Sequence, residues 1–192
     1  YIMKQWDQGQ QVIFEANPDY YGETPKIQKL TVLFMEEDAA LAAAMAGQVD
    51  VAYTSATYSD QTVEGYSLAS YASVDNRGFN LPAVPSGTDE EGRTVGNDFT
   101  SDVLVRRAIN IGVDRQEMID NVLNGYGSPA YSVCDGLPWY NEASEVEYGP
   151  EAAAALLDEA GWTMGDDGVR EKNGVKAEMN LLYSTGDSVR QA

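Results

Sequence analysis

The chain has 192 residues, 43% of them hydrophobic, with 12 Lys+Arg against 31 Asp+Glu and a formal net charge of -19. A surface this negative repels phosphate, which argues against nucleic acid and anionic lipid as partners, and no run of about 18 apolar residues is present to span a membrane. The absence of histidine removes Ser-His-Asp and Cys-His triads and His-bearing zinc sites from this chain, and the single cysteine, Cys134, allows no internal disulfide.

Ile2, Trp6, Val12, Ile13 and Phe14 flank the polar turn Asp7-Gln8-Gly9-Gln10, a pattern that predicts a hairpin. Asn17-Pro18-Asp19 is a turn signal, since proline forces its predecessor out of the helical region. The continuous apolar, β-branched run at 27–35 predicts a strand buried on both faces. Glu36-Glu37-Asp38 then precedes the alanine-rich stretch 39–46, so a helix is expected with carboxylates favourably placed at its positive end and Gly47 as a left-handed cap. With Val49–Tyr53 as a short strand, residues 27–53 are expected to form a parallel βαβ unit. Residues 57–62 suit a polar loop or short helix, 67–73 an extended segment and 76–81 a further strand. The Pro-, Gly- and acid-rich stretch 82–100 is the clearest shift in composition and marks a domain crossing or surface insertion.

The apolar residues of 102–123 predict two helices, the second opened by Asp114 with Glu117 three residues on, as in a capping box, and closed by Gly125. A Pro- and Gly-rich loop, 128–141, holds Trp139 and Tyr140. Pro150 suits the first position of a helix that Gly161 stops. Asp167-Gly168 and Asn173-Gly174 are spaced as hairpin turns, and 179–183 suits a strand. The chain starts without an initiator Met and stops in polar sequence, so it is expected to be an excised piece of a longer protein.

Few residues promise covalent chemistry. Cys134 stands beside no basic residue and suits a small buried or half-buried thiol. The acidic clusters 36–38, 89–91 and 166–167 lack the spacing of a calcium loop and fit solvated faces and helix starts. A carboxylate pair of glycosidase type cannot be singled out among 31 acids. No glycine-rich phosphate loop occurs. Neither a cofactor, a metal site nor a catalytic residue is therefore assigned. The 12 tyrosines, many beside turns (Tyr20, Tyr21, Tyr53, Tyr58, Tyr66, Tyr71), combine an apolar body with a hydroxyl, which suits either half-buried packing or an adaptable ligand surface.

Several segments taken in order resemble one family. Asn17-Pro18-Asp19-Tyr20-Tyr21, Pro25-Lys26-Ile27, Ala46-Gly47-Gln48-Val49-Asp50, Phe79-Asn80, Asp102 to Ile109 with Val113-Asp114-Arg115, Gly125 to Ala130, and Ala153 to Trp162 are similar to the extracytoplasmic solute-binding proteins of dipeptide, oligopeptide and nickel ABC importers, bacterial family 5. Leu104, where the family usually has a basic residue, and Gly149, where it usually has Asp, depart from the pattern, and 86–97 is longer than typical.

The resemblance implies an α/β chain, a segment of a bilobal type II periplasmic-binding-protein-like fold with βαβ units and mixed sheets. Residues 1–84 would belong to the first lobe and 85–192 to the N-terminal half of the second. It implies a non-catalytic binder of short peptides that works outside the membrane, in the periplasm or as a lipoprotein on the outer face of the cell, and delivers its solute to a cognate ABC permease. The same fold serves nickel-chelate, heme or oligosaccharide capture. A glycosidase and a calcium-stabilised adhesion module are the more distant alternatives. By family position the ligand cleft is expected to be lined by Tyr53, Thr54 and Ser55 and by Asp75, Asn76, Arg77 and Phe79, with Arg77 suited to a ligand carboxylate. Arg106, Arg107, Asp114 and Arg115 are expected to be structural.

Overall fold

The computed structural model describes residues 1–192, which fold as two compact units, Tyr1–Ser67 and Leu68–Ala192. In the first, strands β1 (Ile2–Asp7) and β2 (Gln11–Glu15) form the expected antiparallel hairpin, and β3 (Lys29–Leu33) pairs with the other edge of β2. Gly9 turns the chain at φ 74°, a left-handed value that side chains resist. The Asp7 carboxylate closes the turn by accepting from Gln11 Nε2 at 2.8 Å and from Gln5 Nε2 at 2.8 Å.

Register aligns Met3, Phe14 and Leu30, and then Trp6, Val12 and Val32, across the three strands. Directly paired side chains share a face, so one face of this sheet is apolar throughout. It is not covered. β3 is exposed along its whole length, with Leu30 and Val32 each 39% exposed. The double-sided burial expected of this strand does not occur, because no helix of the unit packs closely over the sheet.

Helix α1 (Glu37–Met45) has Glu37 and Asp38 in its first turn and buries only Ala43 and Ala44. It ends as expected. Gly47 takes φ 66°, its N–H donates to Ala44 O at 2.9 Å, and Gln48 N–H donates to Ala43 O at 2.9 Å. The strand expected at 49–53 does not form, and every strand pair in the protein is antiparallel, so the βαβ unit is corrected to sheet followed by helix. Apolar, β-branched residues favour a strand only where a neighbouring strand can take the backbone hydrogen bonds, and β3 has its one partner in β2. A single 3-10 turn spans Ala56–Tyr58, and the Tyr66 hydroxyl donates to Val49 O, tying the end of the unit back to the residues after α1.

In the second unit the 82–100 stretch is an ordered insertion. Strands β4 (Gly87–Thr88) and β5 (Thr94–Val95) form a small hairpin. Asp89 organises its turn, accepting from the N–H groups of Glu91 and Arg93 at 2.9 Å each and from Arg93 Nε at 2.7 Å. Ser86 and Asp98 close its base reciprocally, side chain to backbone in both directions. Gly96 is required here: at φ 76° a Cβ would lie 2.0 Å from Pro85 O.

Helices α2 (Val103–Gly112) and α3 (Arg115–Val122) follow, the second with its expected cap and the first with a cap the sequence reading did not name. Asp102 accepts from Leu104 N–H, and Asp114 from Glu117 N–H, each at 2.9 Å. Helix α4 (Pro150–Glu159) packs along α2. The approach is close because small residues meet there: a Cβ on Gly112 would lie 3.2 Å from Ala153 Cβ. The core of the protein gathers around this pair. Val105, Ala108, Ala153 and Ala160 are buried, and Phe99 meets Trp162 edge to face at 4.8 Å. The one buried polar side chain, Thr100, donates its hydroxyl to Pro82 O at 2.9 Å.

Strands β6 (Thr163–Met164), β7 (Arg170–Lys172) and β8 (Val175–Lys176) form the antiparallel meander that the two turn signals predicted, with Asn173 and Gly174 both at positive φ. A last turn, α5 (Ser188–Gln191), is capped by Asp187. Residues 76–81 and 179–183, expected as strands, join no sheet.

Candidate functional site

The expected ligand-lining residues divide between the units. In the first, Tyr53 is 85% exposed, while Thr54 and Ser55 are half-buried and Ser55 Oγ lies 2.7 Å from Thr57 Oγ1 at the start of the 3-10 turn. They were expected at the carboxyl end of a parallel strand. With that strand absent, they sit on a loop.

In the second unit, residues 71–80 are exposed, Phe79 among them at 52%. The Asp75 N–H donates to Ser73 Oγ at 3.1 Å. The Asn76 side chain donates to Val133 O at 3.5 Å, and Arg77 Nη1 reaches Asp187 Oδ2 at 2.8 Å. Residues 57 and 110 positions apart in sequence are thus joined to one short segment. Asp187 also meets Arg190, whose Nε lies 3.4 Å from Oδ2 and whose N–H donates to Oδ1 at 3.0 Å. The Arg77 hydrogen bond, then the Arg190 N–H, hold the Asp187 carboxyl below its ordinary range.

The loop that carries Val133 is fixed on two sides. Burial pushes the Asp135 carboxyl up, but hydrogen bonds from the Tyr131 N–H and from the hydroxyl and N–H of Ser132 outweigh it and hold the pKa below the ordinary 3.8. Arg115 donates to Ala130 O at 3.0 Å and to Asn110 O at 2.9 Å, and its guanidinium lies 5.0 Å from the centre of the Tyr131 ring. Arg106 donates to Thr100 O and Ser101 O at 2.8 Å each. Both arginines are therefore clamps on backbone carbonyls, as expected.

Cys134 is half-buried, and its N–H donates to Ser132 Oγ at 3.1 Å. No trio of Cys, Asp or Glu side chains converges as a metal site requires. A depression of about 330 Å³ lies elsewhere, among Asp98, Asp102, Trp162 and Lys172, and holds none of the expected residues. It is the junction of α2 with the β7–β8 turn, where Lys172 and Asp102 pair at 3.3 Å. The 74–79 segment and its two anchors offer exposed donors, acceptors and apolar surface, which suits recognition of a solute.

The sequence reading singled out Asn76 and Arg77, but not Asp187 and Arg190, which the fold brings to Arg77. The one local signal was the capping pattern Asp187-Ser188 after Gly186, which marks a helix start and says nothing of a partner 110 residues away.

The family model described as bacterial extracellular solute-binding proteins, family 5 Middle, matches residues 1–192. Protein XP55 of Streptomyces lividans is 34% identical over 200 residues, which cover 100% of this chain and 34% of that protein. The oligopeptide-binding protein AppA of Bacillus subtilis is 30% identical over 98% of this chain, again 34% of its own length. The chain thus spans about a third of these relatives. The structure of NikZ from Campylobacter jejuni with Ni(L-His) superposes on 91% of the chain and 34% of its own with TM-score 0.70 at 25% identity. That of Bacillus subtilis AppA with a nonapeptide superposes on the same shares with TM-score 0.59 at 30% identity.

Proposed function

The chain belongs to the bacterial extracellular solute-binding proteins of family 5, and from that membership we propose that it is a segment of the substrate-binding component of an ABC importer, one that captures short peptides outside the membrane and performs no reaction on them. The observation that carries the proposal is the match along all 192 residues, which includes a relative whose solved structure holds a nonapeptide. In the whole protein two lobes close over the solute. Residues 1–84 belong to the first lobe and 85–192 to the second. Tyr53, Thr54 and Ser55 face the solute from one lobe, and Asp75, Asn76, Arg77 and Phe79 from the crossing. Exposed hydroxyl, amide and guanidinium groups beside an apolar ring support this reading, because they can pair with a peptide backbone without selecting its side chains. The protein works in the periplasm or anchored by lipid to the outer face of the cell membrane, and delivers its cargo to a cognate permease.

The uncovered apolar face of the β1–β3 sheet fits the same picture. The relatives are about three times as long as this chain, and in the whole protein the remaining chain covers that face. The 192-residue segment alone is accordingly a poor binder. Calorimetry with tri-alanine is expected to detect no micromolar affinity for the segment and clear binding to the full-length protein.

A second reading, capture of a nickel chelate, is favoured by the similarity to NikZ with its Ni(L-His) ligand. Mass spectrometry of solutes that co-purify with the full-length protein decides between the two. Short peptides are expected, and a metal chelate alone would replace the first reading with the second.

A further inference from the structure

Four places in the chain set a glycine directly after Asn or Asp: Asn124-Gly125, Asp135-Gly136, Asp167-Gly168 and Asn173-Gly174. The nitrogen of a glycine is the least hindered in a main chain, because no Cβ shields it and its backbone is the freest to turn. Such a nitrogen can attack the side-chain carbonyl carbon of the residue before it and close a five-membered ring. Two conditions decide whether it does so in a folded protein. The N–H must not be committed to a hydrogen bond, since breaking one adds to the barrier. The side chain must also be neutral, because the delocalised charge of a carboxylate turns a nucleophile away.

The fold grants both conditions at one of the four. The Gly125 N–H donates to Ile119 O at 3.1 Å at the end of α3. The Gly168 N–H donates to Gly165 O at 3.1 Å, and the carboxylate of Asp167 is paired with Lys176. Asp135 is a carboxylate that accepts from the Tyr131 N–H at 3.0 Å and the Ser132 N–H at 2.8 Å. At Asn173-Gly174 the pairing of β7 with β8 closes on Lys172 and Val175, which leaves the Gly174 N–H in the turn without an acceptor. The Asn173 side chain is a neutral amide. Both residues are exposed, and a Cβ on Gly174 would meet no atom within 4 Å, so water and hydroxide reach the turn freely.

We propose that Asn173 is a site of spontaneous covalent modification, its side-chain amide displaced by the main-chain nitrogen of Gly174. The Gly174 N–H gives its proton to hydroxide, the nitrogen bonds to Asn173 Cγ, and the Cγ–Nδ2 bond breaks. The departing nitrogen takes a proton from water and leaves as ammonia, which restores the hydroxide. Water then opens the cyclic imide. Opening at Cγ leaves aspartate. Opening at the main-chain carbonyl leaves isoaspartate, whose main chain runs through Cβ and Cγ. One water is consumed, one ammonia is released, and nothing is oxidised or reduced. Either product adds a carboxylate to the rim of the depression that Asp98, Asp102 and Lys172 already line. Isoaspartate also lengthens the two-residue turn by one backbone carbon, which disturbs the closure of β7 on β8. The inference is independent of the solute proposed above.

The test compares the two Asn-Gly pairs within one molecule, so it needs no substitution. The full-length protein is aged in mildly alkaline buffer made with heavy-oxygen water, then digested, and label uptake in the Asn173 and Asn124 peptides is followed by mass spectrometry. In the folded protein Asn173 is expected to take up label about tenfold faster than Asn124, the rate factor that corresponds to breaking one hydrogen bond at Gly125. In urea, where the fold is lost and both pairs keep the same local sequence, the two rates are expected to converge. A ratio near one in the folded protein, or a faster Asn124, would overturn the assignment, as would a folded protein that takes up no label at Asn173 while the unfolded chain takes it up at both sites.

Discussion

The two units of the chain put their apolar residues to opposite use. The second buries its apolar residues against itself: α2 and α4 approach through Gly112, Ala108 and Ala153, and Trp162 and Phe99 seal the end of that contact. The first lines up Met3, Phe14, Leu30, Trp6, Val12 and Val32 on one sheet face and leaves that face in water, with only Ala43 and Ala44 buried. Helix against helix is a complete two-layer solution within one stretch of chain, whereas a three-stranded sheet needs a second layer from elsewhere. Buried apolar packing therefore concentrates in the second unit, and the first leaves an apolar sheet face exposed.

The sharpest way to break that contrast is to make the same substitution on both sides of it. Trp162→Ala removes a buried ring and is expected to cost about 3–5 kcal/mol, while Trp6→Ala, at a ring 65% exposed, is expected to stay within about 0.5 kcal/mol. Urea denaturation followed by circular dichroism compares them, and equal losses would mean that the sheet face is covered. Val105→Ala, at a side chain with 0% exposure, is expected to cost about 2 kcal/mol, and Val32→Ala less than about 1 kcal/mol, in the same assay. Leu30→Lys with Trp6→Lys tests the face as a contact surface. The 192-residue chain is expected to self-associate through its bare face, and light scattering should show the doubly substituted chain shifted towards monomer with little change in unfolding. A wild type already monomeric would contradict this.

The smallest effect concerns the loop behind Asn76. The folded pKa of Asp135 lies below the ordinary 3.8. Its contribution to stability is therefore present above 3.8 and is lost as pH falls through the lower folded value. Asp135→Asn is expected to lower the melting temperature at neutral pH, and the difference from wild type is expected to close as pH drops below 3.8. A difference independent of pH would assign the role of Asp135 to shape rather than charge.

What could be read from the sequence followed one physical rule: features set by neighbours a few residues apart were legible. Gly9, Gly47 and Asn173-Gly174 reverse the chain where expected, and Asp114 caps its helix where expected. The strands read at 49–53, 76–81 and 179–183 failed for a common reason. Their apolar content was visible, but a strand exists only with a partner for its backbone, and none lies beside them. The candidate site divides the same way. Asn76 and Arg77 were singled out by their place before Phe79-Asn80, but Val133, Asp187 and Arg190 come beside them only through folding.

The sequence by itself determined the charge of the surface, the absence of imidazole chemistry, the helices with their caps, the tight hairpins and the family. These depend on composition, on local backbone preferences and on residue order. Only the tertiary structure decided that the first sheet stands uncovered, that residues 49–53 stay out of it, and that two arginines 113 positions apart meet at one carboxylate oxygen. Burial, strand pairing and charge clustering are properties of neighbours in space, and the chain order does not state who those neighbours are.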